Sequence, residues 1–130
     1  MQNTVVITGA GVSVESGIQP FRGKNGLWNE NPTEMASNRF FRTNTSAFLQ
    51  WYYHRFVSCK DALPNRAHEI LAKQNIKVVT QNVDNLHVKA EHPSNHLIEI
   101  HGNINFKRKI NAVYIEELEL ANWNQVDENN

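Results

Sequence analysis

The chain has 130 residues, of which 40% are hydrophobic and 20% charged, and its formal net charge is +0. This length predicts one globular domain, and the neutral charge argues against capture of nucleic acid or of an anionic membrane. The single cysteine, Cys59, excludes an internal disulfide framework and a zinc site built from cysteines of this chain, and it favours a reducing, cytoplasmic location. No apolar run approaches the roughly 20 residues of a membrane span, and no targeting peptide is expected.

The first segments predict a strand, a tight turn and a short helix. Val5 to Ile7 is a β-branched apolar run typical of a buried parallel strand. Ser13 to Ser16 predicts a short helix that Gly17 ends. From Gln19 to Thr45 the composition turns to Asn, Pro, Gly and Arg, which predicts a long functional loop with little regular structure.

Two helices are predicted in the middle of the chain. Ser46 is expected to cap a helix that runs to about Lys60, and Asn65 is expected to cap the next one. The apolar face of the first helix is predicted to consist of Phe48, Leu49, Tyr52, Phe56 and Val57. The buried stripe of the second is predicted to consist of Ala67, Ile70 and Leu71.

The second half of the chain predicts two more strands and a polar end. Ile76 to Val79 and Leu97 to Ile100 are apolar runs of strand length, each followed by polar residues or glycine. Ile104 to Tyr114 alternates in part, which favours a strand, and Glu116 to Trp123 favours a helix. We therefore divide the chain into a domain over 1–121 and a polar tail over 122–130.

Strands separated by helices indicate an α/β fold with a parallel sheet, in which ligands bind beyond the carboxyl ends of the strands. Three predicted strand ends carry residues suited to chemistry. They are Gly9-Ala10-Gly11, the segment Gln81 to Asp84, and His101. Their convergence on one edge of the sheet is a structural prediction.

The glycine turn at Gly9-Ala10-Gly11 would let backbone N–H groups approach a phosphate at the start of the following helix. Val14 replaces the third glycine of the usual dinucleotide fingerprint, and the absence of Gly-Lys-Ser/Thr excludes a P-loop. A plain tight turn is therefore the alternative. Phe21 and Arg22 follow the turn. In a binding site, Phe21 would exclude water and Arg22 would pair with an anion. For such a pair taken alone, a phenylalanine packed in the core and a solvated arginine are the favoured interpretation.

Polar side chains follow the second strand: Gln81, Asn82, Asp84 and His87. Their amides and carboxylate are suited to a carboxamide or a positioned water, and turn or capping chemistry is an equal alternative.

Among the six histidines, His101 is distinguished because it ends an apolar strand and precedes a glycine, which suits a general base. His54 and His68 are expected to be structural, and His92 and His96 to be solvated. No spacing of histidine and acidic residues predicts a metal site.

Taken together, these segments resemble the sirtuin family of NAD-dependent protein deacylases. The resemblance lies in Gly9 to Ile18 with Phe21-Arg22-Gly23, in Thr80 to His87, and in Glu99 to Gly102. Pro64 to His68 resembles the helix that precedes the second motif. Three long motifs in the family's order, covering about Val5 to Asn105, are far more specific than any one of them.

The resemblance implies the N-terminal half of a Rossmann-like, NAD-binding domain and a role for each matching residue. Gly9, Ala10, Gly11 and Val14 would line the pyrophosphate and the adjacent ribose, and Phe21 and Arg22 would close over NAD. Gln81, Asn82, Val83 and Asp84, with Ile18 beside them, would hold the ribose and the nicotinamide carboxamide. His101 would be the general base that activates a ribose hydroxyl, with Asn82 as the second catalytic residue. The implied partners are NAD and an acyl-lysine protein or peptide.

The sequence also departs from the family pattern. Gln19-Pro20 replaces the usual proline followed by a polar residue, and Glu91 stands where the family usually has glycine. The family's module with four zinc-binding cysteines has no counterpart beyond Gly102, nor do the later strands that hold the adenosine half of NAD. The sheet would then keep an exposed edge unless a second copy or the C-terminal segment covers it.

Three hypotheses follow. The first is a sirtuin-type deacylase that transfers the acyl group to ADP-ribose and releases nicotinamide. The second is an NAD hydrolase of the same superfamily, in which Asn82 and His101 deliver water. The third is an inactive remnant that binds NAD or ADP-ribose, or serves as an interaction domain.

Overall fold

The computed structural model describes residues 3–19, 32–109 and 118–126. A three-stranded parallel sheet organises it, with the order β1-β2-β3. The strands are β1 (Val5–Thr8), β2 (Lys77–Thr80) and β3 (Leu97–Glu99). Each begins and ends within one residue of its prediction, and the predicted α/β class is confirmed.

Helices connect the strands. A 3₁₀ helix follows β1 at Ala10–Ser16, and then come α1 (Pro32–Met35), α2 (Asn38–Thr43), α3 (Thr45–Cys59) and α4 (Arg66–Lys73). After β2 lie α5 (Leu86–Lys89) and a 3₁₀ turn at Ser94–His96. A short antiparallel pair of strands, β4 (Phe106–Lys107) and β5 (Glu119–Leu120), precedes a last 3₁₀ turn at Trp123–Gln125.

The predicted loop from Gln19 to Thr45 is wrong in its second half, because α1 and α2 lie there. Ser37 caps α2, since its hydroxyl oxygen accepts the N–H of Phe40 at 3.0 Å. The ring of Phe41 then packs edge-on against Phe48 of α3, with 5.0 Å between their centroids. The scattered aromatic residues thus form a small helical layer, which composition alone did not reveal.

The helix cap predicted at Ser46 is also wrong. The chain passes from α2 into α3 through Asn44, and the Thr45 hydroxyl donates back to the Phe41 carbonyl at 2.7 Å. The cap predicted at Asn65 is confirmed, since its side-chain oxygen accepts the N–H of Ala67 at 2.9 Å. The buried face predicted for α4 is wrong at two of its residues. His68 is fully buried, whereas Ala67 and Ile70 are exposed.

Near the C-terminus, the helix predicted from Glu116 to Trp123 is wrong in its described part, where β5 pairs with β4. Trp123 packs on α3, with its ring stacked on Phe56 at 5.4 Å and its indole N–H donated to the Ile104 carbonyl at 2.9 Å. The division of the chain into 1–121 and 122–130 stays a prediction.

Part of the core consists of three histidine rings that pack edge to face. The centroid of His87 lies 4.8 Å from that of His68 and 5.8 Å from that of His92. His87 Nε2 shares a hydrogen bond of 3.0 Å with the Thr8 hydroxyl, and His92 donates from Nε2 to the Ile76 carbonyl at 2.9 Å. The prediction that His92 is solvated is therefore wrong.

His92 is brought back into the core by a tight turn at the end of α5. The N–H of His92 donates to the His87 carbonyl and that of Glu91 to the Val88 carbonyl, which is the Schellman arrangement. Glu91 adopts φ 58° there, a left-handed conformation that glycine occupies without steric cost. The resemblance predicts glycine at this position, and the left-handed conformation of the turn explains why glycine fits there.

Replacing Glu91 by glycine should therefore raise the free energy of unfolding by roughly 0.5–1 kcal/mol. Urea denaturation of both proteins measures the difference. Glu91→Ala is the matched control, because it removes the carboxylate but keeps the Cβ that strains the turn. Equal stabilisation by alanine and glycine would contradict the conformational explanation.

The buried histidines should make stability depend on pH. Burial, assisted by the neighbouring His68, lowers the pKa of His87 to about 4, and burial also lowers the pKa of His68. Between about pH 6.5 and pH 4 the unfolded chain binds protons that the folded chain refuses, so stability should fall as the pH is lowered through this window. His87→Gln should reduce that slope by up to about 1.4 kcal/mol per pH unit.

Denaturation at several pH values measures this slope. His54→Gln serves as the control, because His54 lies exposed on α3. A slope in His87→Gln that equals the wild-type slope would show that His87 does not resist protonation in the folded protein.

Candidate active site

The carboxyl ends of the parallel strands meet at one edge of the sheet, as predicted. The pairing continues past the strands, since the N–H of Gln81 donates to the Thr8 carbonyl at 3.0 Å and that of Ile100 to the Thr80 carbonyl at 3.1 Å. The glycine turn after β1 therefore lies beside the polar segment after β2, and the segment after β3 follows. This is the edge at which open α/β sheets bind their ligands.

Asn82 links the first two of these segments. Its side chain is 4% exposed, and its Nδ2 donates to the Gly9 carbonyl at 2.9 Å and to the Ser13 hydroxyl oxygen at 3.3 Å. The backbone N–H of Asn82 donates to the Thr80 hydroxyl at 3.1 Å. Its Oδ1 is buried and has no hydrogen-bond partner among the described residues. A buried acceptor without a partner is costly.

Asp84 is the next side chain along the same hydrogen-bonded chain. The Ser13 hydroxyl, which accepts from Asn82, donates to Asp84 Oδ2 at 2.6 Å. Asp84 Oδ1 accepts the N–H of Leu86 at 3.0 Å. The direction of the bonds is thus fixed from amide to hydroxyl to carboxylate. Sequence reasoning did not assign Ser13 a role in the site, although its place inside the glycine turn was a signal.

The glycine turn is held from outside by α4. Asn65 Nδ2 donates to the Val12 carbonyl at 2.7 Å and to the Ser16 hydroxyl at 3.0 Å, and Gly17 ends the 3₁₀ helix with φ 86°. A Cβ added to Gly9 or Gly11 would meet no other atom of the described residues within 4 Å. Neither glycine is therefore required by the packing of the described chain.

These segments form one wall of an open cleft. Ala10, Ser13, Ile18, Gln19, Asn82, Val83, Asp84 and Ile104 line it, together with Arg55, Ser58 and Cys59 of α3. The contribution of α3 was not predicted, because its helical periodicity indicates only a packing face. The cleft thus combines an apolar wall with a few convergent polar groups, as small-molecule sites usually do.

Two ionisable side chains of α3, Arg55 and Cys59, have shifted pKa values where they line the cleft. Burial lowers the pKa of Arg55, an effect that Tyr52, Cys59 and Asp84 oppose, and its guanidinium lies 5.0 Å from the ring centroid of Trp51. Burial, followed by the charge of Asp84, raises the pKa of the Cys59 thiol to about 11. Cys59 is therefore protonated at neutral pH, which argues against a role as a nucleophile.

The loop that carries His101 is joined to the loop after β2. Asn103 Nδ2 donates to Asn85 Oδ1 at 2.7 Å and to Glu99 Oε1 at 2.9 Å, and the N–H of Ile104 donates to the Val83 carbonyl at 3.0 Å. Burial raises the pKa of Glu99, and the Asn103 hydrogen bond opposes this. His101 itself is exposed on this loop.

The predicted site residues thus divide into three groups. Ala10, Asn82, Val83 and Asp84 line the cleft, and Gly9 is bonded to it through Asn82. Gly11, Val14, Gln81 and His101 are exposed at the same end of the sheet. Phe21 and Arg22 lie outside the described residues.

Residues 3–19, 32–109 and 118–126 contain neither a metal-binding cluster nor a membrane-spanning helix. No group of three histidine, cysteine or acidic residues there is placed to hold a metal ion. No helix in those ranges has the length and apolar character to cross a membrane.

Comparison with known proteins gives consistent matches over most of the chain. The model of the Sir2 family matches residues 9–128. The NAD-dependent protein deacylase 1 of Caldanaerobacter subterraneus subsp. tengcongensis is 46% identical over 107 residues, which cover 78% of this chain and 43% of that protein. The NAD-dependent protein deacylase of Bacteroides thetaiotaomicron is 39% identical over 127 residues, which cover 91% of this chain and 53% of that protein.

Solved structures agree. A Sir2 homolog in complex with NAD superposes with a TM-score of 0.75 at 36% identity, over 90% of this chain and 46% of that one. A Sir2 protein solved with a deacetylated peptide and 3′-O-acetyl ADP-ribose gives a TM-score of 0.74 at 33% identity, over 89% of this chain and 47% of that one. The chain spans about half the length of the relatives it matches. With matching motifs, fold and family model, the chain belongs to the Sir2 family, the sirtuins.

Proposed function

We propose that this chain forms the nicotinamide and ribose side of an NAD-dependent protein-lysine deacylase site. The reaction transfers the acyl group of an acyl-lysine to ADP-ribose and releases nicotinamide. The proposal joins the family, whose relatives are named NAD-dependent deacylases, to the geometry of the cleft. No observation in the described residues favours the hydrolase or the remnant hypothesis over it.

The observation that carries the proposal is the unpartnered Oδ1 of Asn82. It lies buried beside Asp84 in the cleft, while the rest of the Asn82 side chain is fixed by its bonds to Gly9 and Ser13. A free acceptor held in this way requires a donor, and the hydroxyls of a ribose and the N–H₂ of a carboxamide are donors. Asp84 Oδ1 and Oδ2 supply further acceptors a short distance along the same wall.

The glycine turn fits NAD in a second way. Because nothing in the described chain approaches the Cβ positions of Gly9 and Gly11, the space beside them is open to a ligand. Backbone N–H groups of such a turn are suited to a pyrophosphate. We assign Gly9, Ala10, Gly11 and Val14 to that contact, and Gln81, Val83 and Asp84 to the ribose and carboxamide. Phe21 and Arg22 would close over them.

Bound NAD would supply the ribose carbon that accepts the acyl oxygen as nicotinamide leaves. The residues of this chain would bind, orient and move a proton. Asn82 would accept from a ribose hydroxyl through Oδ1, and the Ser13–Asp84 pair would keep the carboxylate oriented. An imidazole nitrogen of His101 would remove a ribose hydroxyl proton as general base, a contribution of about 10²–10⁴-fold. The apolar wall with Ile18 and Ile104 would exclude water from the cation-like transition state.

The substrate partner would be an acyl-lysine protein or peptide. A cytoplasmic location stays a prediction, as does a second copy covering the sheet edge.

The reaction is tested by following nicotinamide release from NAD with and without an acetyl-lysine peptide. Release that requires the peptide is expected, and His101→Ala should lower its rate by 10²-fold or more while NAD binding persists in part. Release without peptide would favour the hydrolase, and no release would favour the remnant. Near-normal turnover by His101→Ala would contradict the role of His101. His96→Ala, which changes a histidine that is not among the cleft-lining residues, is the matched control.

The glycine turn is tested by Gly11→Ala. Since the added methyl group meets no atom of the described chain, the midpoint of thermal unfolding should not fall. The affinity for NAD should fall by about tenfold or more, because the methyl group occupies the space assigned to the pyrophosphate. Calorimetry and a thermal melt measure the two effects on one sample. Unchanged affinity would show that the turn does not contact NAD.

A further inference from the structure

The lining of the cleft comes from segments that are distant in the sequence. Helix α3 contributes Arg55, Ser58 and Cys59. Ile104, which follows β3, is 7% exposed and donates its backbone N–H to the Val83 carbonyl at 3.0 Å. The shape of the cleft therefore depends on how Ile104 is held relative to α3.

Trp123 contacts both of these segments. Its indole N–H donates to the Ile104 carbonyl at 2.9 Å. Its ring is stacked on Phe56 of α3, with 5.4 Å between the centroids and 17° between the planes, and its centroid lies 6.4 Å from that of Tyr53. Phe56 directly follows the cleft residue Arg55 in the chain. Trp123 thus joins Ile104 to α3 without lining the cleft itself.

Backbone hydrogen bonds fix the segment that carries Trp123. β5 pairs with β4 in antiparallel register, and just beyond it the N–H of Ala121 donates to the Asn105 carbonyl at 2.8 Å. The indole bond to Ile104 lies one residue further along the same partner segment. An indole packed against other side chains usually finds an acceptor for its N–H, and here the acceptor belongs to a residue of the cleft. The position of the indole is therefore fixed by more than its contact with α3.

Ile104 also lies in the loop that carries His101, three residues further along the chain. We call residues 100–105 the His101 loop. β3 holds the beginning of this loop. Past His101, Ile104 is an anchor with two backbone bonds, because its N–H donates to Val83 and its carbonyl accepts from Trp123. Loss of the indole bond should therefore loosen the loop on the side away from β3.

We propose that Trp123 is a positioning residue that holds Ile104 and the His101 loop in place relative to α3. The catalytic consequence rests on the proposed deacylase function. A general base must be correctly placed, and a small displacement of a catalytic group is costly to the rate. The glycine turn and Asn82 are held by other contacts, so NAD binding should depend little on Trp123.

Two variants separate the two contacts of the indole. Trp123→Phe keeps an aromatic ring to pack on Phe56 and removes the N–H donor, whereas Trp123→Ala removes both. Gln125→Ala, at an exposed position on the same 3₁₀ turn, is the matched control. Circular dichroism checks that each variant is folded.

Hydrogen exchange followed by NMR measures the protection of the Ile104 N–H in the absence of NAD. This amide should exchange about fivefold to tenfold faster in Trp123→Phe, faster still in Trp123→Ala, and at the wild-type rate in Gln125→Ala. The N–H of Gln81, which is bonded within the sheet, should keep its rate in all three variants. Unchanged exchange at Ile104 in both Trp123 variants would overturn the proposal.

Nicotinamide release in the presence of NAD and an acetyl-lysine peptide measures the catalytic consequence. Trp123→Ala should lower kcat about tenfold or more while KM for NAD changes by less than about twofold. Trp123→Phe should recover part of the loss, because it keeps the stacked ring. An unchanged kcat, or a loss confined to KM, would overturn the positioning role. If the wild-type chain releases no nicotinamide, the deacylase proposal fails, whereas exchange at Ile104 still decides whether Trp123 holds the loop.

Discussion

The side-chain amide of Asn82 connects the two segments on which the candidate site depends. Its Nδ2 bonds to the Gly9 carbonyl and the Ser13 hydroxyl, which are separated from it by about 70 residues of sequence. These bonds fix the orientation of the amide and leave its Oδ1 as a buried acceptor without a partner among the described residues. A hydrogen bond of this kind contributes only about 1 kcal/mol to stability, but leaving a buried partner unsatisfied costs more. The geometry of the site and the stability of the sheet edge are therefore coupled.

The sequence predicted the strands and the polar strand ends well, because both depend on local patterns. Apolar runs rich in β-branched residues, such as Val5 to Ile7 and Ile76 to Val79, have few alternatives once glycine or polar residues follow them. The parallel arrangement then follows from the helices between them, and it brings the strand ends together. The cap at Asn65 was predicted for the same local reason.

The errors arose where distant contacts decide the structure. Phe41 of α2 packs on Phe48 of α3, and Leu120 of β5 pairs with Phe106 of β4. His92 is buried by a turn that forces Glu91 into a left-handed conformation, which no local pattern predicts. The cleft wall contributed by Arg55 and Cys59 was missed because a helix face that packs and one that lines a site have the same period.

A sheet that exposes Ile7 and Ile98 has one of its two packing layers absent from the described residues, and the relatives are about twice as long. The described residues do contain the cleft wall formed by the glycine turn and the segment with Asn82 and Asp84.

The central claim is that this wall binds the nicotinamide and ribose of NAD. Titration of the ¹⁵N-labelled chain with NAD, followed by NMR, tests it most directly because each amide reports separately. Saturable shifts of the Asn82 side-chain amide and of the backbone amides of Ala10, Val83 and Asp84 are expected. Saturable shifts confined to amides remote from the cleft, or none up to the solubility limit of NAD, would contradict it.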